Sequence, residues 1–272
     1  MDAKEKTTSM TTLISELLSQ LHARAAAATP VDVCIGAHWT LVTLEIAGTA
    51  CAGLASTLSP CAEGHMLGAG APVVNAGQLL ALPTQDLAAL AQSESSLEAS
   101  VGMATINALL EVNASRCFEI NAADIIAEKG AGRQVAVVGH FPFVSRLREA
   151  ASTLWVLELN PGPGDRPAAE APQLLPQADV VALTGTSLLN KTFDELVALC
   201  RDDAFVVVLG ATTPLSPIFF RYGINAVSGT VIVDIPPVRA AVSQGATFRQ
   251  LPGKRLLTLL PPASPDITVP QK

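Results

Sequence analysis

The apolar positions change their period about half-way along the chain. From Thr11 to Ala28 they recur at helical spacing, with Leu13, Leu17 and Leu21 on one stripe and Ile14 and Leu18 beside it. Two strand-like runs follow, VDVCIG at 31–36 and WTLVTLEI at 39–46, with Ala37-His38 as the tight turn between them. Residues 48–58 (GTACAGLASTL) read as a third strand, small and Gly-rich, so this part predicts an antiparallel meander. Helices are expected over 85–91 and 95–112, and Asn121 is placed to cap another short one. From Arg133 the rhythm becomes strand and helix in alternation. Strands are expected at 135–138, 154–159, 180–183, 205–209 and 230–233, with a final one at 255–260. Helices fall near 144–150, 192–200 and 216–222. Unbroken apolar strands alternating with helices indicate a doubly wound parallel sheet. The pattern therefore predicts an α+β domain over 11–130 and an α/β domain over 131–260, with 1–10 and 261–272 as flexible tails.

The organising stretch is VAVVGHFPFV at 135–144, a strand running through Gly139 into a turn and then a helix. His140 falls at the carboxyl end of that strand, where open α/β sheets keep their ligand sites. The other strand ends are polar or Gly-rich: Glu158 and Asn160, then Thr184-Gly185 and Asn190, then Thr212-Thr213. His140 is expected to act as general acid/base or metal contact, with Glu158 holding a hydroxyl or orienting it. Gly139, Thr184, Gly185, Asn190, Thr212 and Thr213 are expected to bind the ligand. The hydroxyls of Thr212, Thr213 and Ser216 lead into a helix and read first as caps, with part of an anion site as the alternative. Asn107, mid-helix, reads as a packing residue or as a ligand contact, and His38 as a hairpin residue or as one facing the interdomain cleft.

Composition narrows the partners. The chain of 272 residues has a formal charge of −7, so it lacks the cationic surplus that nucleic acid requires. Its mean hydropathy is +0.40, yet no apolar run is long enough to span a membrane. The opening MDAKEKTTSM has no apolar signal region, which predicts a cytoplasmic protein. The five cysteines form no C-x-x-C pair, excluding a disulfide framework or zinc ribbon as the organising device. Glu158 stands about twenty residues after Gly139, the ribose-acid spacing of nucleotide-binding sheets. However, Phe141, Pro142 and Val144 occupy the turn where further glycines would be needed, so NAD and S-adenosylmethionine are disfavoured. A transition metal stays open as a cofactor, with His38, His140, Cys61 and His65 as candidate ligands. The last two share the Gly/Pro-rich loop 59–77 with Glu63, where a plain surface loop is the competing reading.

Seven segments together carry a family pattern: IGAHWTLV (35–42), GLAST (53–57), SVGMATINALLE (100–111), VAVVGHFPFV (135–144), WVLELNPGPGD (155–165), ADVVALTGTSLLNKT (178–192) and GATTPLSP (210–217). They resemble a bacterial and archaeal family of unknown function associated with heavy-metal chelation, over about residues 11–250. The resemblance implies an enolase N-terminal-like domain followed by a Rossmann-like domain, with a site in the cleft between them. It also implies condensation or hydrolysis of a pterin-, flavin- or siderophore-like molecule. A non-catalytic carrier or sensor of a metal or metal chelate is the alternative class. The expected partner is a small molecule, not nucleic acid or membrane, and a homo-oligomer is open.

Overall fold

The computed structural model describes residues 12–58, 72–112 and 116–262. Cys61, Glu63 and His65 and both expected tails through residue 11 and from 263 lie outside them.

The first half begins with α1 (Leu13–Ala26), capped by Thr12, whose hydroxyl accepts the Ser15 N–H. Its buried residues, Leu13, Ile14, Leu17, Leu21 and Ala25, are the predicted stripe. The helix ends earlier than Thr29-Pro30 because Ala28 already pairs with Ile46. Strands β1 (Ala28–Ile35), β2 (Trp39–Ile46) and β3 (Thr49–Ser56) form a separate antiparallel sheet in that order. Pro30 sits inside β1, an edge strand that tolerates its missing N–H, next to a register shift. The middle strand β2 is buried from Thr40 to Leu44 because both faces are covered. Val42 and Leu44 join the core with α1, while Leu41 packs with Val238 and Val242 from far along the chain.

Two further helices close this half, α2 (Thr84–Ala89) and α3 (Ser96–Leu109). From Glu98 to Leu109 every residue of α3 except Asn107 is buried, as expected of a helix apolar all round. Two glycines permit that depth. A Cβ on Gly102 would lie 1.8 Å from the Ala91 nitrogen, and one on Gly53 of β3 would lie 2.1 Å from the Ala104 oxygen.

The second sheet has eight strands. Edge strand β4 (Cys117–Phe118) precedes α4 (Ala122–Gly130), whose cap is Asn121 as anticipated. Then come β5 (Gln134–Val138), α5 (Val144–Ala150), β6 (Thr153–Glu158), β7 (Arg166–Pro167) and α6 (Ala171–Leu174). The chain continues through β8 (Val180–Thr184), α7 (Thr186–Leu189), α8 (Phe193–Ala198), β9 (Phe205–Leu209) and β10 (Ala226–Ile232). It finishes with α9 (Ile235–Ser243) and β11 (Lys254–Leu259). The spatial order is β4-β11-β10-β9-β8-β5-β6-β7. Strands β5 to β10 are parallel, whereas β10–β11 and β11–β4 are antiparallel.

The wholly parallel expectation therefore needs correcting at one edge, and α9 supplies the reason. It starts at the carboxyl end of β10 and packs on β1 and β2 instead of crossing back over the sheet. The chain is thus still at that edge when β11 begins, and Lys254 pairs with Ile232 in a returning strand. The 217–222 helix is likewise a 3-10 turn, capped by Ser216. Among the described residues no helix is long and apolar enough to cross a membrane.

Candidate functional site

The chain order of the large sheet reverses at β5: β6 and β7 lie on one side, β8 to β10 on the other. A crevice at the carboxyl ends of the strands follows from that reversal. Gly139 and Gly210 turn the chain out of β5 and β9 with φ of 102° and 126°, values an L side chain resists. A Cβ on Gly185, after β8, would come within 2.4 Å of Thr213 Oγ1. These close approaches shape a cleft of about 740 Å³, within the size range of small-molecule pockets. His140, Thr184, Gly185 and Thr212 line it, and Trp39 and Ser56 of the first half complete it.

His140 is 57% exposed, and its Nδ1 lies 3.3 Å from Asp165 Oδ2. The Asp165 side chain is only 6% exposed. Its Oδ2 also accepts the Gly162 N–H at 3.1 Å, and its Oδ1 is buried without a partner among the described residues. Asp165, and not Glu158, is therefore the carboxylate in contact with His140. The sequence signal was present in PGPGD: the Asp165 N–H donates to the Gly162 carbonyl, and Gly164 has φ 86°, so the loop curls back after β6.

The other expected residues separate into different places. Glu158, Gly139 and Asn190 line a second cavity of about 280 Å³, next to Thr192 and Glu195. The Asn190 side-chain oxygen Oδ1 accepts from the Thr192 N–H and hydroxyl, a turn leading into α8. Asn107 donates to the Leu54 carbonyl at 2.8 Å and to the Thr212 carbonyl at 3.1 Å, the packing role, and ties α3 to both sheets. The Thr212 hydroxyl accepts the Ser56 N–H and donates to the Ser56 hydroxyl, both at 3.0 Å. Thr184 Oγ1 meets Thr186 Oγ1 at 2.9 Å. Thr213 is buried, its hydroxyl without a partner among the described residues, and it lines a small cavity of about 180 Å³ with Asn107. Ser216 acts as a cap, accepting the Ile218 N–H. His38 is exposed in the β1–β2 turn and is not among the residues lining these cavities.

Sequence reasoning missed Asp165 and also Trp39, Phe248 and Arg249, which line the large cleft. Trp39 stood next to His38 in a quoted motif. Phe248 and Arg249 carried no local signal, since they reach the cleft only through the placement of α9. Phe141 and Phe143 stack at 5.1 Å in the β5–α5 turn, filling the place of a glycine-rich phosphate loop. The described residues do not fit a resident metal ion, because no three of His, Cys, Asp and Glu converge among them.

A parallel-dominated sheet, a separate small antiparallel sheet and a cleft at the strand ends define a mixed α/β protein with a pocket of ligand size. The chain belongs to the DUF364 family, described as "Putative heavy-metal chelation", whose model matches residues 121–260. A second model with the same description, DUF4213, matches residues 18–110. An uncharacterized protein of Methanocaldococcus jannaschii is 27% identical over 214 residues, covering 75% of this chain and 79% of that protein. A crystal structure of a DUF364 protein of unknown function from Pyrococcus horikoshii matches with a TM-score of 0.78 at 18% identity, covering 92% of this chain and 100% of that one. Another, from Desulfitobacterium hafniense, matches with a TM-score of 0.73 at 23% identity, covering 90% and 99%. At those identities the solved structures speak for the fold alone.

Proposed function

We propose that the protein binds a planar, chelating small molecule of pterin, flavin or siderophore type and processes it by condensation or hydrolysis. The ligand lies between an enolase N-terminal-like unit, residues 11–130, and a Rossmann-like unit, residues 131–260. The carrying observation is the cleft at the strand-order reversal with His140 on its wall and the buried Asp165 carboxylate against Nδ1. That contact favours a proton on Nδ1 and leaves the Nε2 lone pair for the ligand, the arrangement a general base needs. Thr184 supplies a hydroxyl in the same cleft, and Thr212 holds Ser56 in place beside it. A metal enters this reading as cargo of the chelator. The cytoplasm is the compartment this reading takes, with neither nucleic acid nor membrane as partner.

Thermal unfolding with added pterin, riboflavin or a catechol siderophore tests the proposal. A ligand at a hundred times its Kd stabilises the native state by about 2.7 kcal/mol. The expected result is a raised Tm with at least one of the three and a changed product by mass spectrometry, the product being lost in H140A. No rise with any of them counts against the reading. Uptake of free metal that disappears in H140A supports a carrier instead.

A further inference from the structure

We infer that the large cleft selects an organic anion, and that Arg249, next to Trp39 and Phe248, is the residue that holds its negative group. The inference rests on the reading of the cleft as a small-molecule site. Its first support is charge. The chain carries 24 acidic residues against 17 lysines and arginines, yet no Asp or Glu is among the described residues lining this cleft. Arg249 and His140 are the only ionisable side chains in that lining. A bare divalent cation would find no anionic oxygen among the described lining residues, whereas an anion meets the Arg249 guanidinium there and a carboxylate, Asp165, only behind His140. Hydroxyls from Ser56, Thr184, Thr186 and Ser228 provide the neutral polar contacts.

The second support is the end of the cleft where Arg249 stands. Arg239, Arg221 and Arg255 pair with Asp32, Glu16 and Glu119. Arg249 is exposed and has no ion-pair partner among the described residues. The adjacent Phe248 ring is fixed from two directions, by Trp39 at 5.3 Å between centroids and by the Lys254 ammonium 4.9 Å from its centre. Trp39 Nε1–H is buried with no acceptor among the described residues. A flat ring bearing a carboxylate suits this end of the cleft: the ring lies against the aromatic pair, and the carboxylate takes the guanidinium fork.

Calorimetry on the full chain with matched probes tests this. The pairs are pterin against pterin-6-carboxylate and catechol against 2,3-dihydroxybenzoate. The acid of each pair is expected to bind on the order of tenfold more tightly at low salt, because a hydrogen bond to a charged group outweighs a neutral one. The advantage should shrink as salt is raised, vanish in R249Q and survive in part in R249K. Arg249 is exposed, so an unchanged urea midpoint checks that R249Q folds. If the acids keep their full advantage in R249Q, the role given to Arg249 is wrong. If both members of each pair bind equally to the unmodified protein, anion selection is wrong while the functional reading stands. If none of the four binds, this inference falls, and if riboflavin fails as well the functional reading falls with it.

Discussion

Two cavities flank the end of β5, and they share a frame but not a chemistry. The larger, towards β8 to β10, has no Asp or Glu among its described lining residues. The smaller, towards β6, is lined by Glu158 and Glu195. Both open at carboxyl ends of the same parallel strands, so the strands do not explain the difference. The cover does. Ala171 and Pro172 of α6 and Glu195 and Leu196 of α8, both helices that connect strands of this same sheet, roof the smaller cavity. The larger one borrows Trp39 and Ser56 from the antiparallel sheet and Phe248 and Arg249 from the turn after α9. A sheet edge supplies a place, and whatever packs over it supplies the charge.

The largest blow to the bigger cavity comes from its floor. Valine at Gly185 would drive a Cβ into Thr213, whose backbone nitrogen is 2.8 Å from the ideal position and whose Oγ1 is 2.4 Å away. Neither is the free end of a flexible side chain, so G185V should destabilise by about 2–3 kcal/mol. Urea unfolding would show it, and a variant as stable as the parent would mean the floor can yield.

The next effect concerns how the first half is held over the strand ends. Tyr222 donates its hydroxyl to Glu16 of α1 at 3.0 Å. Burial, helped by the Glu16 carboxylate, pushes its pKa from 10.0 up to about 12. Because the folded pKa is the higher one, this stability is fully present below pH 10. It is lost between about pH 10 and 12, as the unfolded chain releases a proton the folded one keeps. Tyr222 is the one tyrosine of the chain, so phenolate absorbance reads it directly. Y222F should cost about 1 kcal/mol at neutral pH and remove that tyrosine's share of the alkaline decline. An identical decline in both proteins would assign it elsewhere.

The smallest expected effect sharpens the contrast between the cavities. The double change E158Q and E195Q removes both carboxylates from the smaller one, and affinity for an anion in the larger one should stay within about twofold. A tenfold rise would show that the two cavities share one electrostatic field.

Much of the frame was legible from residue order. The stripe of α1, the meander β1 to β3, the cap at Asn121 and the position of His140 after β5 all rest on patterns that neighbouring residues impose on one another. The antiparallel return of β11 was not legible. It depends on α9 choosing β1 and β2 as its partner over the sheet it follows. The placement of Asp165, and not Glu158, beside His140 is of the same kind: strand-end position made Glu158 the candidate, and only the curl of the 162–165 loop brings Asp165 to the ring.

What the sequence alone determined here is periodicity: which faces are apolar, where strands end, which glycines must turn. Those are interactions between residues a few positions apart. The assembly of the large cleft was decided by tertiary structure, because Trp39, His140, Thr212 and Arg249 come from four separate stretches and meet only when the two sheets and α9 pack together. Burial, pairing and the lack of Asp or Glu among the described lining residues are properties of the meeting, and no local pattern encodes them.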